Sequence, residues 1–522
     1  LLNEIDVATE SKPIDRVDFG HIEAEADLHL ARYFLQTESF FRILAGEKTY
    51  VVGRKGTGKS AIYSFFSAMQ RPALSTAALT FDSYPWILHK QVRDQTQSAD
   101  AAYVNTWKYI CLVELAKLVI QEKGAESAGL KGIVDFIARN YGEAKPSLKE
   151  LLVDKASRIR KLSLPSFTNE GFNVGSIELD PKAPPETNLM SNINIACDVM
   201  QGILIEQLTV NRFYSVLLDK LDDGWDGSEE SKTCMCGLLR ASRDLHLRAR
   251  AKGKLLNVVV FLRSDIYDCL EYNDKNKAYP DIEFLKWEPE TLAAVVNKRI
   301  AWSARLDEAS AWTAIFEDKP MAKRSSAFKY LVRRTLLRPR DIIQFCDSCV
   351  NVAREQKHDR VTAGDIYQAE EIYSDYLRRE FIDENRVRLP ELQSLLECLR
   401  RIAYERFTFG QFSEQYAANP KLQDSKLGPL DALKELFELS IVGLERVGGA
   451  AGGTAFEYKY TDPTIQPDFS RGMIVHPGLR KALKLVERRR RVGSTEIEEP
   501  PEPAFEFEDS EVDAGPEVPE NS

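Results

Sequence analysis

The chain has 522 residues, 43% of them hydrophobic, enough to bury several cores, so roughly two to four domains are expected. No apolar run approaches the about 18 residues a membrane helix needs, and Leu1 to Asp6 lacks a basic segment followed by an apolar one, so no membrane partner is expected and the expected compartment is the cytoplasm. The net charge of −10 is concentrated at one end: residues 494–522 hold eleven Asp or Glu and no Lys or Arg, leaving 69 acidic against 70 basic residues elsewhere. The chain opens on Leu1 rather than Met, which suggests numbering from inside a longer product.

In chain order, residues 1–45 form an N-terminal segment in which Ala24 to Leu35 carries apolar residues at helical spacing, so a helix there leads into the first core strand. Tyr50-Val51-Val52 is that strand. Immediately after it, Gly53-Arg54-Lys55-Gly56-Thr57-Gly58-Lys59-Ser60 fits G-x-x-x-x-G-K-[ST], and Ala61 continues into a helical pattern. A triphosphate needs inward-facing backbone N–H groups, close approach without a Cβ and a cation, and the three glycines and Lys59 supply these. Ser60 would place its hydroxyl on Mg²⁺, and the helix opening near Lys59 turns its positive end toward the phosphates. Gly53 to Ala61 are therefore the expected nucleotide contacts, and the residues from 46 to about 290 the expected nucleotide-binding core.

Ala77 to Phe81 reads as a second strand and Tyr103 to Gln121 as a long helix. Residues 124–208, with a basic piece at Lys155 to Lys161 and Pro-, Asn- and Ser-rich text from Leu164 to Asn194, read as an insertion. Phe213 to Asp219 is an apolar run ending in an acid, the form of a Walker B strand whose carboxylate holds the water shell of Mg²⁺. The next residue is Lys220, where many ATPases carry Glu, so a water-positioning acid would have to be Asp222 or Asp223. Ser228 to Ala251 is a helix. Leu256 to Asp265 is a further strand, with Arg263 placed where a γ-phosphate sensor would sit, and Ile282 to Trp287 is a fifth.

Pro289 opens a helix that turns Leu292, Val295, Val296 and Ile300 inward, and residues 291–380 read as a helical bundle in which a helix starts after Arg338-Pro339-Arg340. Residues 388–486 give short helices (Glu391 to Tyr404, Pro429 to Leu439) and then two strands (Ile441 to Val447, Phe456 to Thr461) across a glycine-rich turn, the layout of a winged helix. A last helix closes on Glu487 to Arg491, and the acidic, Pro-rich remainder of 487–522 has too little apolar surface to order itself. The eight cysteines are scattered and expected to be reduced.

With the phosphate loop, Asp219, Arg263 and Arg340 in place ahead of a winged helix, residues 25–485 resemble the origin-recognition and STAND-type branch of AAA-like ATPases. They are also similar to bacterial "GRKGTGKSA" P-loop ATPases of antiphage-defence neighbourhoods. The resemblance implies an α/β fold, a P-loop NTPase parallel sheet with helices on both faces, followed by a helical lid and a C-terminal winged helix. It further implies ATP as ligand, with Mg²⁺, and Arg263 and Arg340 as the two sensor arginines, which join Lys59, Asp219 and Asp222 or Asp223 in the expected hydrolytic set. Ser264 to Asp281 contains no arginine finger; Lys275 or Lys277 would be a substitute without the guanidinium fork. The expected function is a slow ATP-dependent switch in a bacterial defence-type system, acting with a separate protein effector and able to homo-oligomerise. Two alternatives stay open: an ATP-dependent protein binding duplex DNA through the winged helix, and a non-hydrolysing ATP-bound scaffold.

Overall fold

The computed structural model describes residues 12–81, 99–127, 129–141, 188–272, 275–321, 324–446 and 455–486. The chain divides between Ile366 and Tyr367 into two compact units.

In the first unit, α1 (Glu38–Leu44) precedes β1 (Tyr50–Gly53), the phosphate loop, α2 (Lys59–Ser67) and β2 (Leu74–Thr80). Three helices follow, α3 (Ala99–Lys123), α4 (Lys131–Tyr141) and α5 (Asn188–Gln207), before β3 (Phe213–Asp219). Then come α6 (Glu229–Ala251), β4 (Leu255–Arg263), α7 (Ser264–Asp268) and β5 (Ile282–Phe284). The five strands are all parallel in the order β2-β3-β4-β1-β5. Successive strand residues face opposite ways, and the two faces have different cores. Val258, Val260 and Leu262 pack with Trp107, Ile110 and Leu238 of α3 and α6, whereas Val259 and Phe261 pack with Phe40, Ile62 and Phe66 of α1 and α2. Both faces are covered by helices, which is why β3 and β4 read as near-continuous apolar runs.

Ala24 to Leu35 is not one helix: only Leu30–Tyr33 is helical, after a run of turns, because Asp27 folds inward to meet Tyr33 and Arg299. The described flanks of the 124–208 insertion pack on the core, since Ile133, Phe136 and Ile137 of α4 and Met200 and Leu204 of α5 are fully buried against α3. The Asn-rich text from Asn188 onward is the start of α5; the rest of that stretch, including Lys155 to Lys161, lies outside the described residues.

After β5 come α8 (Pro289–Ala304), α9 (Ala311–Ile315), α10 (Ala327–Val332), α11 (Pro339–Glu355) and α12 (Ala363–Glu384), whose first residues close the first unit. Leu292, Val295, Val296 and Ile300 of α8 are buried, as their spacing predicts. Pro339 occupies the first turn of α11, where its missing N–H costs no helical bond.

The second unit has the helices α13 (Leu392–Ile402), α14 (Phe409–Ala417) and α15 (Pro429–Glu438) and an antiparallel sheet in the order β6-β9-β7-β8. Its strands are β6 (Arg406–Phe407), β7 (Val442–Arg446), β8 (Ala455–Glu457) and β9 (Met473–Val475). This is a winged helix. The expected hairpin is present as β7 and β8, but β9, with too few residues to show a period of two, was not legible, and it is the strand that ties β6 to β7. Pro477 to Lys484 forms a 3-10 turn and further turns rather than a closing helix, and Glu487 to Arg491 and the acidic tail lie outside the described residues. Among the described residues no helix is long and apolar enough to cross a membrane.

Candidate nucleotide site

The phosphate loop leaves β1 at the C-terminal edge of the sheet and closes on the first turn of α2. Gly56 and Gly58 have φ of +82° and +92°, backbone that a side chain would strain, and a Cβ on Gly56 would also meet Arg340 Cβ at 3.1 Å. The loop is held from within. Lys59 Nζ donates to the carbonyls of Gly53 (2.8 Å) and Arg54 (3.1 Å), and the Thr57 hydroxyl donates to Arg54 O at 2.7 Å. From β5's end, the Trp287 indole N–H donates to Thr57 O at 2.9 Å.

The strand order 2-3-4-1-5 puts the end of β4 beside β1 and the end of β3 next to β4, so three sequence-distant segments meet at the loop. Asp219 is buried, and the nearby Ser60 hydroxyl and Lys220 amide favour its charged form. Burial pushes its pKa up to about 6, and its Oδ2 meets no hydrogen-bond partner among the described residues. Burial likewise lowers Lys59 to about 8, opposed chiefly by Asp222 and then Asp219. An unpartnered carboxylate oxygen next to a hydroxyl, facing a desolvated ammonium, is a donor set suited to Mg²⁺ on a phosphate.

The two candidate acids separate. Asp222 is half-buried and lies 3.5 Å from Arg263 Nη1, whereas Asp223 is exposed. Arg263 also forks onto Asp265, Nε to Oδ1 at 3.0 Å and Nη2 to Oδ2 at 2.7 Å, so the arginine at the end of β4 is held by two carboxylates. Lys220 takes a left-handed backbone conformation (φ +59°) and its ammonium lies 3.5 Å from Glu25 Oε1. Lys275 turns inward onto the carbonyls of Tyr267 and Leu270 and over the Tyr267 ring, which removes it as a finger for a neighbouring subunit; Lys277 is exposed.

The lid reaches the loop through one turn. Arg54 Nη2 donates to Leu336 O (2.5 Å), Arg338 Nη1 to Lys55 O (3.0 Å) and the Arg340 amide to Gly56 O (3.4 Å). Arg338 is itself buried and paired with fully buried Asp341, whose Oδ2 also accepts the Leu336 amide. The sequence singled out Arg340, whose side chain lies over Gly56; it missed Arg338 and Asp341, which fix the turn that delivers it. The signal was Asp341 itself, an acid at the third residue after Arg338, the spacing of a first-turn cap.

Beside the loop lies an apolar pocket floored by Gly58 and Ala61 and walled by Leu30, Tyr33, Phe34, Ile62, Trp287 and Ile343. Its walls come from the N-terminal segment, α2, β5's end and α11, so no single stretch of sequence announces it. Arg299 at its rim bonds Phe19 O and Asp27 and stacks over Tyr33 at 4.3 Å.

A parallel sheet of order 2-3-4-1-5 with a glycine-rich loop after its β1 and an acid ending β3 defines a P-loop NTPase fold, here with a helical lid. Residues 290–382, the lid and its continuation, match the FunZ-associated C-terminal helical domain. The chain is similar to the transposon gamma-delta 80.3 kDa protein of Escherichia coli (strain K12), 23% identical over 418 residues. That match covers 77% of this chain and 56% of the relative, so the chain spans about half the length of the curated protein it matches. Among solved structures, the Aeropyrum pernix ORC2 protein in its ADPNP–ADP complexes aligns with 88% of this chain and 91% of its own at 14% identity, TM-score 0.36. Cdc6p of Pyrobaculum aerophilum aligns with 88% of this chain and 96% of its own at 12% identity, TM-score 0.30.

Proposed function

We propose that this chain binds ATP with Mg²⁺ between the phosphate loop and the lid, hydrolyses it slowly, and uses the difference between triphosphate and diphosphate to switch lid contacts. The observation that carries the reading is the lid turn: Leu336, Arg338 and Arg340 all contact the backbone or side chains of the phosphate loop. A ligand on that loop therefore acts on the lid directly, and it shifts the lid only through contacts that differ between its two states. Ser60 and Asp219 would hold Mg²⁺, which when bound offsets charge on the phosphate oxygens. Lys59 would bind those oxygens, the apolar pocket would take the base, and Arg263 and Arg340 would register the γ-phosphate. Asp222 would orient the water, a role supported by its position beside Arg263 and its effect on Lys59. Slow turnover fits Lys220, a cation at the position where an acid would otherwise stand next to Asp219. Titration of a fluorescent ATP analogue into the wild type and Lys59→Ala, with phosphate release followed in parallel, tests the reading. The expected result is binding and slow release in the wild type and loss of both in the variant; equal behaviour of the two proteins would falsify it.

The winged helix favours a second reading, ATP-dependent binding of duplex DNA. The outer positions of α15 carry Asp431, Glu435 and Glu438 against Lys434, so this reading requires phosphate contacts from elsewhere on the chain. It predicts affinity that falls steeply with salt. No binding to duplex DNA at low salt with ATP present removes it.

A further inference from the structure

We propose that Trp287 is a positioning residue for the phosphate loop: its indole N–H sets the orientation of the Thr57–Gly58 peptide and thereby aims the Gly58 amide at the bound phosphates. The inference rests on the nucleotide-binding reading above and adds a residue that no motif contains.

The peptide unit is planar and, with no cis bonds among the described residues, trans, so the Thr57 carbonyl and the Gly58 N–H point to opposite sides of one plane. The indole holds that carbonyl at 2.9 Å. The Gly58 N–H is consequently turned away from Trp287. Gly58 is the residue that most needs this restraint. Its φ of +92° leaves it in the region where glycine is free to rotate, and only Trp287 Cζ2, at 3.8 Å, lies within 4 Å of where its Cβ would be. The Thr57 side chain is already committed to Arg54 O, so it fixes the residue before the peptide but not the peptide's rotation. The same indole also walls the apolar pocket. Trp287 thus touches both halves of the expected ligand site, but its N–H serves the phosphate half alone.

That division gives the test. Trp287→Phe keeps an aromatic wall and removes the N–H, while Ile343→Ala trims the pocket and leaves the loop untouched. Affinities for ATP and for inorganic tripolyphosphate are measured by displacement of a fluorescent nucleotide, with the ligand-free melting temperature of each variant as a check on folding. Loss of one loop-orienting hydrogen bond is expected to weaken ATP and tripolyphosphate by the same factor, about tenfold, in a Trp287→Phe variant that still unfolds in a single cooperative transition, a few degrees below the wild type. Ile343→Ala should weaken ATP alone. If Trp287→Phe weakens ATP but not tripolyphosphate, the indole is only a wall and the proposal fails; if it weakens neither, the proposal fails outright. A wild-type chain that binds neither ligand overturns the nucleotide-binding reading itself, an outcome distinct from both.

Discussion

At the scale of single residues, Asp219 shows the cost of building the site before a ligand arrives. Its ordinary value of 3.8 is raised to about 6, first by burial, so the folded state prefers the protonated carboxyl. A folded pKa above the unfolded one gives a contribution to stability that is full below about 3.8 and is lost as pH rises through about 6. Asp219→Asn carries no such charge. In metal-free buffer its melting temperature should therefore rise relative to the wild type as pH goes from about 4 to about 7. A difference that stays flat over that window contradicts the burial argument. Asp222 and Asp223 offer a sharper contrast, because sequence could not choose between them, and the proposal takes Asp222 for its place beside Arg263 and its effect on Lys59. Asp222→Asn should slow phosphate release about 10²-fold and Asp223→Asn by less than about twofold, read from steady-state turnover; similar losses in both would remove Asp222 from its role.

At the scale of elements, the lid turn is held by a buried charge pair. Removing one member of such a pair leaves the other uncompensated, at a cost of about 3–5 kcal/mol. Arg338→Ala should accordingly shift denaturant unfolding of the lid by about 3 kcal/mol, and Arg340→Ala, with a half-buried side chain, by less than about 1 kcal/mol. Equal shifts would mean that Arg338 does not anchor the turn. The same contrast explains what sequence disclosed. The loop, Asp219 and the strands around them were legible because each is a contiguous pattern: a motif with fixed positions, or an apolar run ended by a polar residue. The five strands and the inward face of α8 follow from those patterns. Arg338, Asp341, Trp287 and the pocket were not legible, because their partners are set by strand order and by a turn more than 270 residues from the loop it touches. The Ala24 to Leu35 segment misled for a related reason: its helical spacing is real, but Asp27 is drawn into a buried cluster with Arg299 that only the folded unit creates.

At the scale of the whole molecule, a P-loop unit precedes a winged helix, and the proposed signal is the nucleotide state of the first unit. The proposed γ-phosphate sensor is the lid's Arg340. The most direct measurement is calorimetric titration of a non-hydrolysable ATP analogue and of ADP into the wild type and Arg340→Ala. The wild type is expected to bind the triphosphate more tightly than ADP, by about tenfold, and Arg340→Ala to lose the triphosphate preference while keeping ADP affinity. The same triphosphate preference in both proteins, or no nucleotide binding by the wild type, would contradict it.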